Sequence, residues 1–166
     1  MKRIIIVRHA KSSWEYKNEN DFDRSLNSKG AFEAPRMAAL LKQKIPNIDL
    51  FVSSPSARTM ETTSIFAEYF NYDYSNIVSE YKLYLADYLT LKKFISEIDS
   101  CYNNVALVGH NPGITELVSE CSGKYIYNLP PSAFVSMILP SESWKDILNK
   151  RCDIEFFEHP SFNTNR

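Results

Sequence analysis

The chain has 166 residues, 23% of them charged, with a formal net charge of −1 at pH 7. That suits one domain with a sizeable core, and it offers neither a basic face for nucleic acid nor an acidic tail. Only the run IIIV at residues 4–7 separates Met1-Lys2-Arg3 from Arg8, which is too short for a signal-peptide core, and no later run is long enough for a membrane span. Cys101, Cys121 and Cys152 are odd in number, far apart and without a CxxC pair. Neither a zinc knuckle nor a disulfide framework is expected, and a cytoplasmic location is.

In chain order, the apolar run at 4–7 reads as a strand covered on both faces. In "AFEAPRMAALL" the residues Ala34, Met37, Ala38 and Leu41 recur at helical spacing, and Pro35 predicts a kink or a late helix start. A second apolar run at 50–52 predicts a strand, and Thr62, Ile65, Phe66 and Tyr69 predict a helix after it. A further helix is expected over residues 89–98, then a strand at 105–108 and a helix carrying Ile114, Leu117, Val118 and Cys121. After Pro131 the pattern changes: "SAFVSMIL" reads as a strand, "SWKDILN" as a turn or short helix, "CDIEFF" as a final strand, and "SFNTNR" as a frayed end. Uninterrupted rather than alternating apolar strands belong to parallel sheets buried between helices, so the alternation of elements predicts a layered α/β domain.

In open α/β sheets, ligands collect beyond the carboxyl ends of the strands. Arg8 and His9 follow the first strand, residues 53–58 the second, and His110 the third. Ser54-Pro55 and Asn111-Pro112 each place a capping residue before a proline suited to the first helical position. Helix N-termini favour anions. Arg58, expected in such a first turn, is disfavoured there by the helix dipole unless an anion faces it, and a guanidinium can hold two phosphate oxygens at once. The expected constellation is Arg8, His9, Arg58 and His110 with helix ends around one phosphoryl group. His159 fits as a structural residue. No GxGxxG or Walker sequence follows the first strand, which weighs against a nucleotide site.

The segments "VRHAKSSW", "DFDRSLNSKG", "SSPSARTMETT", "SEYKLY" and "VGHNPG", with the closing "WKDI" and "IEFFEHP", together resemble the histidine phosphatase superfamily. The likeness is to its small phosphohistidine phosphatase branch of the SixA type, and it extends over nearly the whole chain. It implies a single domain over residues 1–166 with a three-layer α/β/α sandwich and a mostly parallel central sheet, as in phosphoglycerate mutase. It implies a phosphatase that needs no metal or other cofactor and hydrolyses phosphohistidine in proteins, or other accessible phosphomonoesters. The partner would then be a phosphorylated protein or a small phosphorylated substrate. His9 would be the nucleophile, and Arg8, Arg58 and His110 would bind the phosphoryl oxygens.

Glu80 stands where the superfamily often supplies a carboxylic acid; Asp87 is a second choice, and a phosphohistidine substrate needs neither. A backbone carbonyl is expected to hold the second nitrogen of the His9 ring, and His110 to become protonated beside a bound phosphate. Ala10 stands where the commonest form of the motif has glycine, which predicts a modest local change. Between Thr63 and Leu89 there is no room for a large lid. The site should be open, with Lys11, Ser12 and Asn111 on its rim and Trp14 either there or packed. Two rival readings remain: a small-metabolite phosphatase or mutase of the same superfamily, and an inactive module that binds phosphoproteins.

Overall fold

A computed structural model of the chain describes residues 1–14 and 20–160; the frayed end expected at 161–166 lies outside the described residues. Six strands form one sheet: β1 (Lys2–Arg8), β2 (Leu50–Ser53), β3 (Val78–Ser79), β4 (Asn104–Gly109), β5 (Phe134–Leu139) and β6 (Asp153–Glu158). The order across the sheet is β3-β2-β4-β1-β5-β6. The first four in that order run parallel, β5 runs antiparallel to β1, and β6 antiparallel to β5.

The helices α1 (Ser28–Lys44), α2 (Ala57–Tyr69), α3 (Tyr88–Ser96) and α4 (Gly113–Ser122) cover both faces. Ile5, Val7, Phe51, Ala106 and Val108 pack against Met37, Ala38 and Leu41 of α1 and Phe66 of α2. Their strand neighbours Ile4, Ile6, Val52, Val105 and Leu107 point the other way, against Leu91 and Ile95 of α3, Ile114, Leu117 and Val118 of α4, and Trp144. Side chains alternate along a strand, so two covered faces require every position to be apolar. This is why the strands read as solid runs. Each such isoleucine, fully buried, contributes on the order of 1.5–3 kcal/mol.

Several local expectations need correction. Helix α1 starts at Ser28, capped by the Asn27 side chain, which accepts from the Gly30 N–H at 2.9 Å, so Pro35 lies inside the helix and does not delay its start. Neither Ser54 nor Asn111 is an N-cap. Ser56 occupies that position for α2, and Pro112 for α4 after a cis Asn111–Pro112 bond. Both side chains are committed elsewhere: Ser54 Oγ to His110, and the Asn111 amide to Asn128 and Leu129. Helix α3 begins at Tyr88, capped by Asp87, and ends at Ser96. The segment "SWKDILN" keeps to its expected short helix, a 3-10 helix over Trp144–Leu148. The two-residue strand β3 has no counterpart in the sequence reading.

This topology brings three parallel strand ends to one edge. Because β5 is antiparallel, its start and the loop before it reach the same edge. Two glycines let backbone close in there: a Cβ on Gly30 would lie 2.2 Å from the Lys11 carbonyl oxygen, and one on Gly113 would lie 1.9 Å from that of Ala86. Among the described residues no helix is long and apolar enough to cross a membrane.

Candidate active site

The end of β1 fixes the first histidine. Arg8 pairs with Gly109 in register, the His9 N–H donates to the Gly109 carbonyl at 3.3 Å, and the His9 carbonyl accepts from the Ser132 N–H at 3.3 Å. The His9 backbone is thus pinned between β4 and the start of β5. Its ring Nδ1 lies 2.8 Å from the Ala10 carbonyl oxygen. A carbonyl can only accept, so Nδ1 carries the proton and Nε2 keeps its lone pair. The Arg58 Nε–H donates to that Nε2 at 3.3 Å. Ala10 donates its N–H to Thr62 Oγ1 at 2.9 Å and is not among the residues with positive φ. An alanine Cβ therefore meets no backbone strain where related motifs carry glycine.

Arg58, only 2% exposed, enters from the first turn of α2 and links the other groups. Its NH2 lies 3.3 Å from His110 Nδ1 and 3.0 Å from Asp21 Oδ2, and its NH1 donates to the Asp21 carbonyl at 2.6 Å. Nδ1 of His110 accepts, so its Nε2–H donates to Ser54 Oγ at 2.7 Å. The His9 and His110 ring centroids are 5.5 Å apart. Asp21 also accepts from Arg24 Nε and NH2, at 3.2 and 3.0 Å, and from the Tyr84 hydroxyl. Arg8 donates from NH1 to the Leu129 carbonyl at 2.8 Å, while its buried Nε has no hydrogen-bond partner among the described residues.

The electrostatics follow from burial and crowding of cations. Burial pushes His9 down to about 4; the Ala10 carbonyl acts in the opposite sense, and Arg58 and Arg8 add to the fall. Burial, then Arg58 and His9, pushes His110 down to about 3. Both rings are neutral at pH 7, as their hydrogen bonds require. Arg8 is shifted down by burial and by Arg58 but stays charged. Burial works to raise Asp21, yet hydrogen bonds from Tyr84, Arg58 and Arg24 outweigh it and hold the carboxyl well below the usual carboxylate range.

These groups line a cleft of about 390 Å³ that contains Arg8, His9, Arg58 and His110 together, with Lys11, Ser12, Trp14 and Asn111 also on its walls. Trp14 is 75% exposed, with the Arg24 guanidinium 3.5 Å from its ring centroid. Glu80 does not line the cleft; it sits just past β3, its backbone N–H donating to the Ser53 carbonyl. Asp87 is also outside, spending its carboxylate on the Thr90 N–H that caps α3. Asp21, Arg24, Tyr84 and the Ser54 hydroxyl are parts of the site that the sequence reading missed. The spacing of Asp21 and Arg24 in "DFDR" fits an i,i+3 pair, but nothing local ties Asp21 to a residue as distant as Arg58. The guanidiniums around two neutral imidazoles supply the donors suited to an oxyanion, which would give Arg8 Nε the acceptor it lacks among the described residues.

The model of the histidine phosphatase superfamily, branch 1, matches residues 4–82. The SixA protein of Agrobacterium tumefaciens, described as a candidate phosphohistidine phosphatase, superimposes with a TM-score of 0.82 at 29% identity, covering 96% of this chain and 98% of that one. The chain is thus similar to the histidine phosphatase superfamily over its first half and to a SixA protein over nearly its whole length. A protein histidine phosphatase SixA complexed with tungstate shares the fold at the same TM-score of 0.82 and 21% identity, over 96% of this chain and 98% of that one. An uncharacterized chloroplastic protein of Arabidopsis thaliana is 32% identical over 133 residues, which are 75% of this chain and 61% of that protein. The chain thus spans less than two thirds of that relative's length. The six-stranded, mostly parallel sheet between helices is the phosphoglycerate mutase-like α/β architecture that the resemblance implied.

Proposed function

We propose that this protein is a phosphatase that hydrolyses phosphohistidine in proteins through a phosphoryl intermediate on His9. One observation carries the reading. The His9 ring is held by Ala10 in the tautomer that leaves Nε2 unprotonated, and that nitrogen faces Arg58 and His110 in a cationic cleft. A neutral imidazole so held is a competent nucleophile. In the first step the Nε2 lone pair forms a bond to phosphorus, the bond to the leaving imidazole breaks, and that imidazole departs with its electron pair and takes a proton from solvent. In the second step water adds to phosphorus, the bond to Nε2 breaks, and the water's protons end on released phosphate and solvent. The ring nitrogen regains its lone pair.

Phosphoryl transfer spreads charge over the equatorial oxygens, so catalysis is mainly positioned charge. Arg8 and Arg58 supply it in this reading. His110, neutral in the free cleft, gains a proton as the bound dianion favours its charged form. The likeness to SixA proteins, one of them complexed with tungstate, supports an oxyanion in this cleft. The openness of the cleft, with Lys11, Ser12 and Asn111 on its walls, favours a phosphorylated side chain of a protein over an enclosed metabolite.

The test is to incubate the protein with phosphohistidine-containing protein, quench rapidly, and look by mass spectrometry for an acid-labile phosphoryl group on His9. The adduct is expected in the wild type, with phosphate release abolished in His9→Ala. Full turnover by His9→Ala would overturn the reading, and so would an absent adduct under burst conditions. An inactive binding module forms no adduct at all.

A further inference from the structure

Beside the cationic cleft lies a second one of opposite character. It holds about 550 Å³ between α4 and the loop at 123–131, and Asn111 lines both. Its walls include Glu116 and Glu120 of α4, Tyr88 of α3, and Tyr125 and Tyr127 of the loop, with no Lys, Arg or His among the described residues that line it. Glu116 and Glu120 are exposed, and neither has an ion-pair partner among the described residues. Tyr125 and Tyr127 are 84% and 87% exposed, unusually so for side chains with this much apolar surface.

The ridge between the two clefts is built of hydrogen bonds. The Asn111 amide donates to Asn128 Oδ1 at 2.7 Å and to the Leu129 carbonyl at 3.0 Å, while its own oxygen accepts from Thr115 Oγ1 at 2.6 Å. The Leu129 carbonyl also accepts from Arg8. The two openings are therefore held in fixed relation, one walled by Arg8, Arg24, Arg58 and Lys11, the other by two carboxylates and aromatic faces.

We propose that this second cleft is the docking site for the polypeptide flanking the phosphorylated side chain, and that it selects a segment with a Lys or Arg a few residues away. The inference rests on the phosphatase reading and adds the sequence context of its substrate. Extended chain advances about 3.3 Å per residue, so a residue roughly two to four positions from the phosphorylated one reaches past the Asn111 ridge. A cation there meets Glu116, Glu120 and the faces of exposed tyrosines, which attract it by charge and by their ring quadrupoles. An acidic flank meets the same carboxylates and is repelled. Opposite charges in adjoining clefts thus discriminate by a difference in affinities, with a repulsive arm against the wrong partner.

The experiment compares phosphate release from two histidine-phosphorylated peptides, identical except for Lys or Glu at the flanking positions, and from phosphoramidate, which is too small to cross the ridge. The enzymes are wild type and Glu116→Lys/Glu120→Lys, both positions being exposed. Expected is a kcat/KM for the Lys peptide roughly tenfold above that of the Glu peptide, from pairs worth about two- to fivefold each. In the charge-reversed variant the preference inverts, with phosphoramidate turnover unchanged. Equal turnover of both peptides by wild type, or a preference that survives charge reversal, overturns the docking site while the phosphatase stands. Failure of wild type to release phosphate from any of the three overturns the phosphatase reading, and the docking site with it.

Discussion

Asp21→Asn separates the two things Asp21 does at once: it anchors Arg58 and it lowers the positive charge of the cleft. The carboxylate accepts from Arg58 NH2 at 3.0 Å, from two nitrogens of Arg24 and from Tyr84. An amide keeps one acceptor oxygen, and the Asp21 backbone carbonyl keeps its bond to Arg58 NH1. The loss is therefore about one charge-assisted hydrogen bond, reduced by the partial exposure of Asp21 to roughly 1–2 kcal/mol. If that loosens Arg58 in the transition state, kcat falls roughly 5- to 30-fold. Charge acts in the opposite direction on binding. An oxyanion beyond the guanidinium lies about 6 Å from the carboxylate, where a unit pair is worth roughly 0.7–2.8 kcal/mol between effective permittivities of 80 and 20. The exposed side of that range applies, so inorganic phosphate should inhibit the variant about three- to tenfold more tightly.

Steady-state kinetics with phosphate as a product inhibitor read both quantities from one data set. A slower enzyme with tighter product binding is the expected signature. An unchanged kcat with unchanged inhibition refutes the anchoring role. A loss of kcat matched by an equal loss of phosphate affinity means that the site merely collapsed. The stability difference has a defined pH window. Asp21 is shifted downward in the fold, so its contribution is present above roughly pH 4 and fades as pH falls below it. The wild-type advantage in thermal midpoint, about 2–8 °C for a chain of this size, should shrink in acid.

The histidines make the opposite arm of the cleft acid-sensitive. Both are held neutral, at about 4 and about 3 in the fold against an ordinary 6.5, so the unfolded chain binds protons that the folded one refuses. Stability should be complete above roughly pH 6.5 and fall by about 2–4 kcal/mol between pH 7 and 5. Denaturant titrations at the two pH values measure it, and His110→Asn should remove about half of the slope. A flat profile would contradict the burial account. Glu80→Gln and Asp87→Asn should both keep kcat on phosphohistidine within about threefold of wild type, because neither side chain lines the cleft. Asp87→Ala should instead lower the thermal midpoint by roughly 2–4 °C through loss of the α3 cap. A large fall in kcat for Glu80→Gln would restore that residue as the proton donor.

The sequence exposed those features whose cause is periodic. Ile4, Ile5, Ile6 and Val7 read as a strand because both faces of β1 are covered, and Met37, Ala38 and Leu41 read as a helix because one face is. Arg8, His9, Arg58 and His110 were legible as a group because strand ends in a parallel sheet converge, and each follows an apolar run directly or by a short turn. What the sequence hid has no period. Val78 and Ser79 form too short a strand to alternate, and β3 exists only because β2 offers an edge. Ser54 and Asn111 resemble caps by residue type, but tertiary partners won their side chains. Asp21 meets Arg58 and Tyr84 across long stretches of chain, and only the closed fold brings them together.

The arrangement also explains why two histidines rather than further arginines complete the cleft. Arg8 and Arg58 already repel one another, and each additional fixed cation would raise that cost in the free protein. An imidazole avoids it by staying neutral while the cleft is free and accepting a proton when a dianion arrives. In the proposed reaction His9 cannot take that role, because its Nε2 lone pair would be the one to attack and its Nδ1 proton is already committed to Ala10. His110 can, since its Nδ1 now accepts from Arg58 and would be released when a phosphate oxygen takes that donor. Binding should therefore take up a proton at His110 and leave His9 unprotonated. In the proposed reaction the two rings would divide one chemistry between them because one faces a carbonyl and the other a hydroxyl.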